Sequence, residues 1–408
     1  MDVLHANCAG LDVHKDTVVV CVRHQGPVGR ARKQVRTFST MTRDLLALGD
    51  WLVQEGVTHA AMESTGVYWR PVYHLLEGRC QLLLVNAQHI KQVPGRKTDV
   101  KDCEWIAELL QHGLLRCSFV PPQPTAELRE LTRHRTQLMA ERARLSNRIQ
   151  KLLEDANLKL GSVVSDVLGK SGRAMLEAIT AGESDPEKLA ELALGRMRGK
   201  IPRLHLALEG RVTEHHRFVL RLLLDQLASL ERFIGRLEER AEVALLPFVE
   251  TVERLKTIPG IDEQVARIVM AEMGMDLSVF PSAAHLASWV GICPGNDESA
   301  GKRRSGRITK GNRWLRQALV QAAWSASHTK NTYLSAQYHR LAGRRGKKRA
   351  LIAIGHTLLV IIYHVLRTGK PYADLGADYF DRQNGDRLTR YLVKRLESLG
   401  HKVTLQSA

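Results

Sequence analysis

Three closely spaced β-rich runs, followed by alternating helix and strand, constrain the first 115 residues more tightly than any other feature of this chain. Ala9 to Val13 and Thr17 to Val22 flank His14-Lys15-Asp16, a tight turn between paired strands, and Gln34 to Phe38 follows a loop bearing glycine and proline. Met41 to Glu55 carries Leu45, Leu48 and Leu52 on one side of an amphipathic helix. Val57 to Met62 reads as a strand, Val67 to Leu76 as a helix and Leu82 to Val85 as another strand. The order predicts a mixed sheet flanked by helices, an α/β domain.

Four acids occupy telling places in that layout. Asp12 lies within the first strand, flanked by apolar residues, where a carboxylate without a partner is costly. Glu63 ends the fourth run. Asp99 and Asp102 stand three apart in Lys97-Thr98-Asp99-Val100-Lys101-Asp102, on one face of a helix expected to start at Thr98 and to bury Ile106, Leu109 and Leu110. Carboxylates that close repel by about 1 kcal/mol in water and about 4 kcal/mol when partly buried. Lys97 and Lys101 can neutralise them on a solvated face, or a divalent cation can bind between them. The bland readings are backbone N–H groups satisfying Asp12 and Glu63 capping the next helix. Four carboxylates converging from strand ends and a helix start would instead hold two Mg2+ ions for phosphoryl transfer.

A formal net charge of +17, from 60 Lys and Arg against 43 Asp and Glu, points to a polyanionic partner, with nucleic acid first. No run of about 18 apolar residues is evident, so no membrane span is expected. The N-terminus lacks the order of a signal peptide, and six scattered cysteines without a Cys-x-x-Cys pair fit a reducing cytoplasm rather than a zinc ribbon.

Pro121-Pro122-Gln123-Pro124 reads as a stiff linker, which sets the expected domains at 1–120, 121–245 with an inserted helical module at 155–222, 246–375, and a basic tail at 376–408. Leu128, Leu131, Leu138, Leu145, Ile149 and Leu152 follow an approximate heptad with Arg135 and Arg142 at its seam. A second such helix runs through Leu223, Leu227, Leu230, Ile234, Leu237 and Ala241. The two suit an antiparallel hairpin or a dimerisation coil. Arg129, Arg133, Arg142, Arg144 and Arg148 form an outer face, either solvated or against a phosphate backbone. His215-His216 reads as a surface pair.

Farther on, Ile258-Pro259-Gly260-Ile261-Asp262 before a helix from Glu263 to Met273 is similar to a helix–hairpin–helix element, whose turn can offer N–H groups to a DNA phosphate. Gly291 to Arg313 is a glycine-rich, basic, nearly structureless loop opening onto a helix from Trp314 to Ser325. Between Asn296 and Arg349 there are 14 Lys or Arg and two acids. Lys302, Arg303, Arg304, Arg307, Lys310, Arg313, Arg344, Arg345, Lys347 and Lys348, with Lys97 in the first domain, are the expected contacts to nucleic acid. A loop serine is ordinary filler, yet beside such cations it can attack a phosphodiester. Tyr333, Tyr338, Tyr363 and Tyr372 lie in apolar helical or turn contexts that favour packing. Ala350 to Val365 is an apolar core helix, and Leu388, Leu392, Leu396 and Leu399 mark a basic amphipathic tail helix.

In the contexts GLDVHK, ESTGVYW and KTDVKD, Asp12, Glu63, Asp99 and Asp102 resemble the Asp-Glu-Asp-Asp set of RuvC-like (RNase H fold) transposases of the insertion-sequence-110 family. Val85-Asn86-Ala87 and Arg96-Lys97-Thr98 extend the match over nearly all of residues 8–115. Pro294 to Arg313, Gly343 to Lys348 and Gly355 to Pro371 resemble the mostly helical C-terminal domain of the same family, which follows coiled-coil helices. The resemblance implies a site-specific recombinase directed by a structured (bridge) RNA, acting on donor and target DNA in the cytoplasm at the nucleoid. It implies a tetramer, a dimer of dimers, with composite sites of Mg2+-binding acids from one subunit and a serine from another. The nucleophile maps to Ser299, directly after Glu298. One inserted Ala300 departs from the commoner Ser-Gly pair and leaves Ser305 as the lesser candidate. The runners-up are a two-metal structure-selective nuclease without a covalent intermediate and a non-catalytic RNA-binding protein.

Overall fold

The computed structural model describes residues 2–26, 32–64, 66–86, 102–294, 297–299, 301–305, 308–383 and 385–405. Two compact units meet in sequence between Pro121 and Pro122.

In the first unit Cys8, Ala9, Gly10 and Leu11 are buried in succession, because β1 (Asn7–Val13) is covered on both faces. It pairs antiparallel with β2 (Thr17–His24), which pairs antiparallel with β3 (Arg32–Ser39). After α1 (Thr42–Gln54), β4 (His59–Glu63) runs parallel to β1; after α2 (Trp69–Leu76), β5 (Gln81–Val85) runs parallel to β4. The order β3-β2-β1-β4-β5 makes β1 central. The expected elements are found with their ends moved by one or two residues. One face packs Leu11, Val20 and Met62 on Leu48 and Leu52 of α1 and Leu76 of α2. The other packs Cys8, Ala61 and Val85 on Ile106, Leu109 and Leu110 of α3 (Asp102–Gln111). Lys97, Thr98 and Asp99 lie outside the described residues, so the expected helix start at Thr98 does too.

The second unit opens on α4 (Gln123–Asp155), followed by α5 (Leu160–Val163), α6 (Lys170–Thr180), α7 (Pro186–Glu191), α8 (Ile201–Leu208) and α9 (Glu214–Leu245). Arg135 meets Glu238 at 2.6 Å and Arg142 meets Glu231 at 3.2 Å, so α4 and α9 run antiparallel within one chain. The seam arginines are thus neutralised across the pair. Helices α5 to α8 share a core with the far end of that pair, through Met175, Leu176 and Leu204 against Ile149, Leu153 and Leu220. Of the expected surface pair His215 is exposed, and His216 is partly buried, its side chain 14% exposed. It closes a capping box with Thr213 and reaches Asp155 at 2.9 Å.

Next come α10 (Val249–Lys256), α11 (Glu263–Met273), α12 (Ala283–Val290), β6 (Asp297–Ser299), β7 (Lys302–Ser305), α13 (Arg313–His328), α14 (Tyr333–Arg345) and α15 (Lys347–Thr368). The chain continues through α16 (Tyr379–Gln383) and α17 (Gly385–Ser398). Against the sequence expectation, α15 is long and apolar enough to cross a membrane, by length and composition. Its Ala350, Ile354, Leu358, Leu359 and Ile362 are nevertheless fully buried in the helical core.

Candidate active site

Side chains alternate along a strand, so Cys8, Gly10 and Asp12 share the face of β1 turned towards α3. A Cβ on Gly10 would lie 2.2 Å from the Cys103 carbonyl oxygen and 2.4 Å from the Ala107 nitrogen. Only glycine permits this approach of two backbones, which Cys8 Sγ seals by donating to the Ala107 carbonyl at 3.5 Å. The contact brings the first turn of α3, and Asp102 with it, towards the end of β1. Leu11 pairs with Met62, so Glu63 is the next residue along β4 beside Asp12 and shares its face.

Asp12, Glu63 and Asp102 therefore come together. Burial pushes the Asp12 carboxyl above its ordinary value; His14, 3.1 Å away, opposes that, and the negative charges of Asp102 and Glu63 add to it. The Oδ1 atom of Asp102 is sealed from solvent. Among the described residues no three His, Cys, Asp or Glu side chains are disposed to hold one metal ion, and the expected fourth acid, Asp99, is outside them. Desolvated oxygen donors carrying like charge are nonetheless the chemistry that a hard divalent cation relieves. Because the folded state raises the Asp12 value, its ionised form costs stability, which is regained as pH falls through the folded value. Asp12→Asn is accordingly expected to raise the metal-free Tm at neutral pH on the order of 2 °C, read by scanning calorimetry; a lowered Tm would contradict the repulsion.

The basic loop is not structureless. β6 and β7 form a hairpin in which Ser299 pairs with Lys302 and Glu298 with Arg303. Gly301 lies between the two strands at φ +74°, a left-handed turn conformation that favours glycine, and the inserted Ala300 lies outside the described residues. Ser299 ends β6 at the turn, whereas Ser305 lies at the stem opposite Asp297. Charged residues on both strands left no apolar alternation to read. At the base Pro294 bridges Ile308, and a Cβ on Gly291 would lie 2.6 Å from the Thr309 carbonyl oxygen.

The stem is tied down by a residue that sequence reasoning missed. Glu272 is fully buried in α11 and receives Arg133 through two bonds of 2.6 and 2.7 Å. Arg129 lies 3.3 Å away, and Asn312 Nδ2 donates to Glu272 at 2.6 Å. The Oδ1 of Asn312 accepts from the Trp314 and Leu315 N–H groups, capping α13. Arg129 and Arg133 are thus not on an outer face: a buried carboxylate draws them inward, as Glu231 draws Arg142. The available signal was an acid at the i+7 position from Val265 on the apolar side of α11.

Lys302, Lys310, Arg313, Arg344, Arg345, Lys347 and Lys348 are exposed, Arg303 and Arg304 lie in β7, and Arg307 is outside the described residues. The helix–hairpin–helix-like turn uses Gly260 for packing: a Cβ there would meet the Ala322 carbonyl oxygen of α13 at 2.3 Å. The tyrosines pack; Tyr363, for one, is buried and donates to the Phe280 carbonyl at 3.0 Å.

Residues 9–157 match a transposase family designated by the acids DEDD and by IS110, a span holding all four acids. Residues 252–340 match the transposase family of IS116, IS110 and IS902. A probable family 20 transposase of Pseudomonas aeruginosa is 28% identical over 327 residues, covering 77% of this chain and 82% of that protein. An IS110 insertion-element protein of Streptomyces coelicolor is 28% identical over 303 residues, covering 68% and 73%. A pilin gene-inverting protein of Moraxella bovis is 33% identical over 121 residues, covering 29% and 37%.

Proposed function

This chain belongs to the IS110 family of transposases, and on that premise we propose that it cuts and rejoins donor and target DNA through Ser299, with Mg2+ at Asp12, Glu63, Asp99 and Asp102. The observation that carries this reading is the meeting of Asp12, Glu63 and Asp102 on one face of the sheet, where Asp12 is held above its ordinary pKa. The sheet order supports a RuvC-like, RNase H fold, and the Arg–Glu rungs of α4 and α9 support a coiled coil. A guide RNA and a tetramer, as a dimer of dimers, complete the proposal. The gene-inverting relative supports DNA rearrangement as the outcome.

Bound at the acids, Mg2+ supplies Lewis-acid polarisation of the phosphodiester. Ser299 Oγ bonds to phosphorus, the bond from phosphorus to the 3′ oxygen breaks, and the serine proton ends on that departing oxygen. The product is a 5′-phosphoserine and a free 3′-hydroxyl, and attack by a new 3′-hydroxyl reverses the step to rejoin strands. Lys302, Lys310 and Arg313 neutralise phosphate charge beside the hairpin.

The test uses DNA carrying the ends of the chain's own element, with RNA transcribed from its noncoding flanks and Mg2+. Asp102→Asn is expected to lower strand cleavage at least about a hundredfold; full cleavage would overturn the role of the acids. In the same preparations Mg2+ should raise the Tm of the unaltered protein and not that of Asp12→Asn.

A further inference from the structure

The buried side of α13 is complete: Leu315, Ala318, Leu319, Ala322, Ala323 and Ala326 fill the helical core. Its exposed side is a stripe of Arg313, Gln317, Gln321, Trp324 and His328 at spacings of three and four. Trp324 is 59% exposed, the most open tryptophan among the described residues, and packing of the fold does not require it. The His328 ring lies 4.5 Å from it, held at its Nδ1 by the Trp324 carbonyl at 2.8 Å. No Asp or Glu occurs from Ser299 to Ala373, so the whole stretch spanning α13, α14 and α15 is free of acids.

We propose that this stripe binds an unpaired nucleobase, stacked on Trp324, with Gln317 and Gln321 reaching its polar edge; the proposal rests on the reading of the chain as an enzyme acting on nucleic acid. An indole face offers stacking to any base, and the carboxamides can both donate and accept. These three helices themselves carry no acid to repel the backbone, the exposed one at the groove beside Gln317 and Gln321 being Asp262, and Arg313 and Lys330 attract it. A protein partner would favour an apolar ring around the tryptophan, and here its neighbours on the stripe are two glutamines, a histidine and an arginine.

The test is fluorescence anisotropy of the full chain with labelled single-stranded DNA, single-stranded RNA and a fully paired duplex of the same sequence, over a salt series. Trp324→Ala should weaken single-strand binding about tenfold with an unchanged salt slope and unchanged duplex binding, and Trp324→Phe should restore most of it. The single strand with the larger loss identifies the base as DNA or RNA. A Lys347→Ala/Lys348→Ala variant is the electrostatic control and should flatten the slope. Unaltered single-strand binding by Trp324→Ala, with the control weakened, would overturn the stacking surface and leave the proposed function standing. If the unaltered chain bound none of the three, both would fall. A change of oligomeric state in Trp324→Ala with affinity intact would assign the tryptophan to a protein interface and overturn the proposal.

Discussion

Glu272→Ala is expected to destabilise the Pro122–Ala408 unit by about 3–5 kcal/mol, more than any change to a surface ion pair. Glu272 has no exposed side-chain surface, and the Arg129 side chain beside it is 12% exposed. Removing the carboxylate takes from Arg133 the two oxygens it donates to and from the Asn312 amide its acceptor, while Arg129 loses its ion pair and keeps only the backbone carbonyls of Ala271 and Glu272. By contrast, Arg254 and Glu250 bond at 2.9 Å with the acid 87% exposed, where truncation is expected to cost less than about 1 kcal/mol. Glu272→Gln keeps the volume and one carbonyl oxygen, so its loss should fall between these. Urea unfolding read by circular dichroism checks the series. A Glu272→Ala midpoint equal to that of Glu250→Ala would show that the buried carboxylate does not hold α4, α11 and the hairpin stem together.

Much of the first domain was legible because β-branched and small apolar residues on a sheet buried on both sides produce short, nearly continuous runs. Asp12 and Glu63 stood out against that background because each was a charge in a buried setting. What brings Asp102 to them was not legible. Gly10 looks like any strand glycine until the carbonyl of Cys103, distant in sequence, is placed against it. Glu272 lies 139 residues from Arg133 and 143 from Arg129, and a surface arginine reads the same as one that turns inward. Local pattern likewise leaves open whether the partner of α4 is a second copy or α9. The hairpin carrying Ser299 was hidden for a different reason: it is marked by a left-handed glycine and a pinned stem, not by an apolar face.

The second large effect concerns that hydroxyl. Alanine at position 299 keeps the hairpin register and every neighbouring cation while removing the atom that would bond to phosphorus. The expected outcome is therefore complete loss of the covalent step without loss of DNA binding. Ser305, at the stem, should be replaceable by alanine with the step intact.

The most direct measurement is a denaturing gel of end-labelled DNA after reaction in Mg2+. Label migrating with the protein, present for the unaltered chain and for Ser305→Ala and absent for Ser299→Ala, is the predicted result. An adduct that survives in Ser299→Ala, or DNA cleaved by the unaltered chain with no label on the protein, would contradict a serine acting with the acids on one phosphate.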